Sequence, residues 1–218
     1  MIDFYYLNPS PFSRSVMLTA KAVGVELNLK VTNFMKGETK TPEYLKMNPQ
    51  HTIPTIDDDG FYLYESRAIQ RYLANKYGKD DSFYPKDPKA RAVVDQRLDF
   101  DLGTLSNWFI QYILPIPMGK TNAIPEDAKP KLAEIVQFLD GFIEKSGGFV
   151  AGDRITIADH AIVAMISSLE AAELMDLSPY ENVTAWLSKC KAEMEGYDEA
   201  CGQGAAQFGA MLKSKLAQ

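Results

Sequence analysis

The chain has 218 residues, 46% of them hydrophobic and 24% charged, with a formal net charge of −6. That length accommodates one large domain or two modest ones, and the balance is that of a globular protein. An acidic chain whose lysines and arginines form no run is poorly suited to nucleic acid or to an anionic membrane, and neither partner is expected.

Ile2 to Leu7 is rich in aromatic residues and reads as a strand. This N-terminal stretch has neither a basic segment nor a long apolar run, so no secretory signal is expected there. Ser13 to Gly24 carries Val16, Met17, Ala20 and Val23 at helical spacing and stops at a glycine. Glu26 to Thr32 alternates Leu27, Leu29 and Val31, the pattern of a half-buried strand. Pro42 to Met47 reads as a short helix. Thr55 to Tyr64 reads as a hairpin turning at Asp58-Asp59-Gly60. Ser66 to Tyr77 follows as a helix with Ile69, Tyr72 and Leu73 on one face. The order βαβαββα predicts an α/β sandwich of about 80 residues.

Gly78 to Pro88 is dense in Gly, Asp, Lys and Pro and reads as a linker. The expected division is residues 1–78, a linker at 79–88, and an all-α domain over 89–218. In that second part, Lys89 to about Leu114 reads as one long helix. Its most apolar window, Phe109 to Met118, is broken by Gln111, Pro115 and Pro117. No stretch reaches the roughly 18 apolar residues of a membrane-crossing helix. Glu126 to Lys145 has an apolar stripe of Leu132, Ile135, Val136, Leu139, Phe142 and Ile143. Thr156-Ile157-Ala158-Asp159 is a variant capping box opening an apolar helix to about Ala172. Pro179 to Met194 and Ala200 to Leu216 are expected to be helical. Cys190 and Cys201, with no Cys-x-x-Cys spacing, are expected as free thiols of a cytoplasmic protein. With histidines only at 51 and 160, no metal site is expected.

Several segments carry candidate chemistry. Ile53-Pro54 directly precedes a strand. The dipeptide alone favours an ordinary trans bond, whereas a cis bond would turn the Ile53 N–H and C=O outward to pair with an extended peptide. Glu65-Ser66-Arg67 stands at a helix start. Ser66 is either its N-cap or, with free helix N–H groups, a holder of a ligand carboxylate, while Glu65 suits an ammonium group. His51 is either an exposed loop residue or a cap for a second carboxylate. Ser10 and Ser13, in the loop after the first strand, are either turn and cap residues or donors to a ligand thiolate. Asp95, Asp99 and Asp101 read as a solvated face of the long helix.

In their order along the chain, these features resemble the cytosolic glutathione transferases, the insect delta/epsilon group and the delta class most of all. Asn48 to Ile56, Glu65 to Ile69, Arg97 to Leu105 and Ile155 to Asp159 carry the likeness. The resemblance implies a thioredoxin-like α/β N-terminal domain, an all-helical C-terminal domain and a homodimer. It implies glutathione as co-substrate, no metal, and a hydrophobic electrophile as the second substrate. By position, Ser10 matches the catalytic serine, and Ile53 and Pro54 the cis-proline edge; Thr52 lies beside it. Glu65 and Ser66 match the γ-glutamyl holders, with Arg67 and Asp101 as neighbours, and His51 lies near the glycyl end. Thr156 and Asp159 match a folding motif. Phe34, Trp108, Phe109, Tyr112 and Phe208 are expected to line the hydrophobic pocket.

The chain departs from the delta pattern in places. Pro9 and Pro11 flank Ser10, with Ser13 and Tyr6 as rival donors. Thr39 stands where a histidine is usual, Ser106 where a pocket tyrosine is common, and His160 where an apolar staple residue is expected. A glutathione conjugase active in detoxification is the implied function. A weakly catalytic carrier of apolar ligands, or a glutathione-dependent peroxidase or dehydrochlorinase, are the alternatives.

Overall fold

The computed structural model describes residues 1–217. Strands β1 (Ile2–Tyr6), β2 (Leu27–Val31), β3 (Thr55–Asp58) and β4 (Phe61–Tyr64) form one sheet in the order β2-β1-β3-β4. β2 lies parallel to β1, while β3 runs antiparallel to both β1 and β4. The parallel pair is joined by α1 (Pro11–Ala22), as such a crossover requires. The hairpin turns at Asp59 and Gly60, both with positive φ, and the Gly60 N–H donates to Asp57 Oδ1 at 2.7 Å. Two further helices, α2 (Pro42–Met47) and α3 (Ser66–Tyr77), complete this part. Ile2, Phe4, Ile56, Val16, Ala20, Ile69 and Leu73 form its core between the sheet and the helices α1 and α3. Leu29 and Val31 are exposed on β2, which is an edge strand of the sheet.

The remainder is helical, as expected: α4 (Pro88–Phe100), α5 (Ser106–Trp108), α6 (Ala128–Ser146), α7 (Ile157–Ala171), α8 (Glu181–Glu193) and α9 (Gln203–Leu216). The long helix expected over residues 89–114 is interrupted by π turns at Asp101–Leu105 and Phe109–Ile113, and a third spans Asp198–Gly202. Each inserts a wider turn that re-aims the residues after it. α7 is buried almost all round because it is the hub of the larger core. Its capping box is present, and both Asp159 oxygens are used. Oδ2 accepts from the Thr156 N–H and hydroxyl, and Oδ1 from the Val150 N–H and the Trp186 indole. Both cysteines are buried and free. No helix among the described residues is long and apolar enough to cross a membrane.

A polar seam joins α1 and α3 to α7. The Thr19 hydroxyl gives its one proton to the Ser15 carbonyl (3.0 Å) and accepts from Gln70 Nε2 (3.0 Å). His160 Nδ1, also 3.0 Å away, is therefore the donor in its pair with Thr19, which fixes the tautomer. Gln70 also donates to the Ile157 carbonyl at 3.1 Å. The His160 ring rests on Phe83, 5.6 Å between centroids. Burial pulls the His160 imidazole down to about 3, so it is neutral here.

Candidate active site

Strand register brings the candidate segments to one end of the sheet. Tyr5 of β1 pairs with Thr55, the first residue of β3, and Thr55 pairs with Tyr64, the last of β4. The loop leaving β1, the loop entering β3 and the start of α3 therefore share an edge. That edge holds Ser10, Ile53 and Glu65.

Ser10 is the N-cap of α1, with Pro11 at the first helical position, where its missing N–H costs nothing. The Ser10 hydroxyl accepts from the Ser13 N–H at 3.4 Å, which leaves its proton free to be donated, and the residue is half-buried. Ser13 is fully buried, its hydroxyl accepting from the Leu7 N–H. Tyr6 is 9% exposed and stacks on Phe4 inside the core. Of the three residues, Ser10 is the most exposed.

The Ile53-Pro54 bond is cis, against the reading of the dipeptide alone and in line with the resemblance. Neither the N–H nor the C=O of Ile53 has a hydrogen-bond partner among the described residues. The loop is tied from behind. The Tyr44 hydroxyl donates its one proton to the Thr52 carbonyl (2.5 Å) and lies 2.9 Å from Thr55 Oγ1, which is the donor in that pair, and Asn48 Nδ2 donates to the Thr52 carbonyl and to Thr55 Oγ1 at 3.0 Å each. Burial raises the Tyr44 phenol, which keeps it a donor. His51 and Thr52 are exposed, His51 with φ of 49°.

The N-cap of α3 is Glu65, not Ser66, and it makes no side-chain cap bond. The N–H groups of the first helical turn therefore have no side-chain acceptor. Glu65 is exposed with φ 70° and ψ 105°, a conformation that costs a non-glycine residue on the order of 1–3 kcal/mol. Ser66 is instead the first helical residue, and its hydroxyl accepts from Arg67 Nη1 at 3.1 Å.

Arg67 is held from the helical part. Its Nε and Nη2 both donate to Asp101 Oδ2, the former at 2.8 Å, and Nη2 also reaches Ser106 Oγ. Ser106 donates to Asp101 Oδ1 at 3.2 Å, closing the node. The three acids read as one solvated face thus separate. Asp101 is fully buried, whereas Asp95 pairs with Arg71 at 3.0 Å and Asp99 is exposed.

The N-terminal part matches the family model described as "Glutathione S-transferase, N-terminal domain" over residues 3–75, and residues 94–193 match "Glutathione S-transferase, C-terminal domain". The chain belongs to the glutathione S-transferase family. It is 46% identical over 217 residues to "Glutathione S-transferase D7" of Anopheles gambiae, covering 98% of each chain. Among solved structures, a Nilaparvata lugens delta-class glutathione transferase superimposes with a TM-score of 0.94 at 55% identity, covering 99% of this chain and 100% of that one. An epsilon-class glutathione S-transferase from the housefly, Musca domestica, gives 0.93 at 41%, covering 99% and 98%. The expected insect delta/epsilon group and the two-part transferase fold are thus established.

In this transferase the pocket candidates divide into two sets. Phe109 and Phe208 meet at 5.4 Å between ring centroids, and Phe12 stands edge-on to Phe109 at 6.3 Å. The Phe12 ring also carries the Arg67 guanidinium over it at 5.3 Å, linking the aromatic cluster to the Ser66–Arg67 side. Trp108 and Tyr112 turn away from this set. Trp108 donates its indole N–H to the Ala128 carbonyl at 2.9 Å, and the Tyr112 hydroxyl donates to Asp127 at 3.0 Å. Phe34 is half-buried in the 3₁₀ turn after β2. Ser106 faces Arg67 and Asp101, and Thr39 is buried in its own 3₁₀ turn. Sequence reading missed Phe12, Arg14 and the Tyr44–Asn48 tie. Only the tie left a local signal, an asparagine beside the Pro49 turn.

Proposed function

We propose that this transferase activates the glutathione thiol at Ser10 and joins it to hydrophobic electrophiles, in detoxification. One observation carries the reading. An unpaired peptide edge at Ile53, a free helix start behind Glu65 and a half-exposed hydroxyl at Ser10 share one end of the sheet. Glutathione fits that set by its chemistry. Its cysteinyl backbone can pair with Ile53, and its γ-glutamyl carboxylate can take the α3 N–H groups and the Ser66 hydroxyl. Its ammonium can take Glu65, and His51 and Thr52 lie on the side of the glycyl end. Arg67 and Asp101 hold this frame rather than touching the sulfur.

The thiol has an ordinary pKa of roughly 8.5. Depressing it by one to two units requires about 1.4–2.7 kcal/mol of preference for the anion. A charge-assisted bond from Ser10 contributes roughly 1.5–3 kcal/mol, and the start of α1 adds about 0.3–1 kcal/mol. The thiol proton leaves to solvent. The thiolate then forms the carbon–sulfur bond as the electrophile's leaving group departs with its electron pair. Phe12, Phe109 and Phe208 supply the apolar side, with Phe34 at the rim. Trp108 and Tyr112 serve the core.

In this reading the division lies at residues 79–88, between a glutathione domain at 1–78 and a pocket domain at 89–218. The molecule works as a cytoplasmic homodimer of the delta class. Ser10→Ala should lower conjugation of a chlorodinitrobenzene-type substrate on the order of 10²-fold while glutathione still binds. Full activity in Ser10→Ala would refute the assignment. Glutathione binding without any turnover by the unmodified protein would favour the carrier. Assays with a hydroperoxide and with a chlorinated substrate separate peroxidase and dehydrochlorinase activity.

A further inference from the structure

Arg14 lies one turn into α1, its backbone N–H donating to the Ser10 carbonyl at 3.1 Å. Its side chain is among the largest that the fold buries completely. Nη1 donates to Ser167 Oγ (3.2 Å), Cys201 Sγ (3.1 Å) and the Cys201 carbonyl (3.4 Å), and Nη2 to Ser168 Oγ. Nε has no partner. No carboxylate among the described residues pairs with this guanidinium.

The acids on the surrounding elements are engaged elsewhere. On α7, Asp159 serves the capping box and Glu170 pairs with Lys191. In the third π turn, Glu199 holds Lys21 and Asp198 accepts from Gln203. Asp101 faces Arg67 of α3. α9 contributes Gly204 and, through Gln207, a bond to Asn8. Burial holds the Tyr197 phenol well above its ordinary value, so it brings no negative charge. His160, lower on α7, is neutral.

A buried cation without a carboxylate counter-ion is costly to keep. It also projects a field that solvent hardly screens. That field originates from a side chain of the same helix that Ser10 caps, with the guanidinium among Ser167, Ser168 and Cys201. A Cβ at Gly204 would stand 2.4 Å from the Asn8 carbonyl and 2.6 Å from Arg14 Cδ, so the arginine stem and the loop crowd the same point.

We propose that Arg14 is a positioning residue for the reaction, an uncompensated buried charge whose field holds the bound thiol of the co-substrate ionised. The inference rests on the glutathione reading above and adds a second source of stabilisation behind the Ser10 hydroxyl. It differs from a purely structural role in one measurable way: charge, not shape, sets the thiol's titration midpoint.

The test is an ultraviolet titration of thiolate in the glutathione complex of the full chain. Arg14→Met, which keeps the stem and removes the charge, should raise the midpoint by about one unit, with about tenfold lower kcat/KM below it. Arg14→Lys should keep the midpoint near the parent value. Ser168→Asp, which leaves Arg14 in place and gives it a carboxylate, should raise the midpoint as Arg14→Met does. Raising the salt concentration should barely move the midpoint of the unmodified complex, and that arm needs no variant to fold. An unchanged midpoint in Arg14→Met or Ser168→Asp overturns the inference, as does a depression that salt abolishes. If Ser10→Ala shifts the midpoint and Arg14→Met does not, only this inference falls. If the unmodified protein binds no glutathione, the reading beneath it falls.

Discussion

Arg67 and Asp101 illustrate how one residue's role depends on a partner far along the chain. Neither is exposed by more than a tenth, and Ser106 satisfies the oxygen and the nitrogen left over. Removing one member strands the other in a buried site. Asp101→Asn should therefore cost about 3–5 kcal/mol, read as a lower denaturant midpoint, and should weaken glutathione binding through the loosened Ser66. Ser106→Ala, which removes a neutral group, should cost about 1–2 kcal/mol. In the sequence, Asp95, Asp99 and Asp101 look alike; what separates them is Arg67, 34 residues earlier. The helix range Ser66 to Tyr77 was legible, whereas the reading of Ser66 as the N-cap was not met: the cap is Glu65. That placement follows from the left-handed backbone of Glu65, which no local pattern announces.

Elements were far more legible than residue roles. Every strand and the main helices follow from period and punctuation, with ends displaced by a few residues. The π turns were not legible, because one extra residue in a helical turn rotates all later side chains by about 100° without breaking an apolar run. Trp108 and Phe109 are neighbours in the chain and so point about 100° apart around the helix, and the indole bond of Trp108 to Ala128 and the ring contact of Phe109 with Phe208 follow from that. Glycines test the packing of these helices. Gly141 in α6 has open space where a Cβ would go, so Gly141→Ala should raise stability by about 0.5–1 kcal/mol through helix propensity. Gly209 in α9 would set a Cβ 2.4 Å from the Ala171 carbonyl, and Gly209→Ala should lose about 1–3 kcal/mol by overpacking. Thermal melts of the two variants should move in opposite directions.

Across the whole molecule, acid sensitivity follows from where charge is buried. Native His160 stays neutral down to about 3, whereas the unfolded chain's imidazole takes a proton below about 6.5. As pH falls through that window the unfolded state binds more protons, so stability drops by up to about 1.4 kcal/mol per unit. His160→Gln should flatten the slope of stability against pH between about 7 and 5. Asp58 acts lower on the scale. Burial raises its carboxyl, but bonds from Lys76, Tyr72 and Tyr77 outweigh that and hold it at about 2. Its contribution is whole above the ordinary carboxylate value and is lost as pH falls through about 2. Asp58→Asn should remove that part of the acid limb. The seam that buries His160 also bears on inheritance. Residues 14, 19 and 70 contribute one half of its matched pairs, and 157, 160, 167, 168 and 201 the other. A chimaera exchanging the sheet part and the helical part between relatives would have to carry compatible partners on both sides, so the two parts are constrained to diverge together.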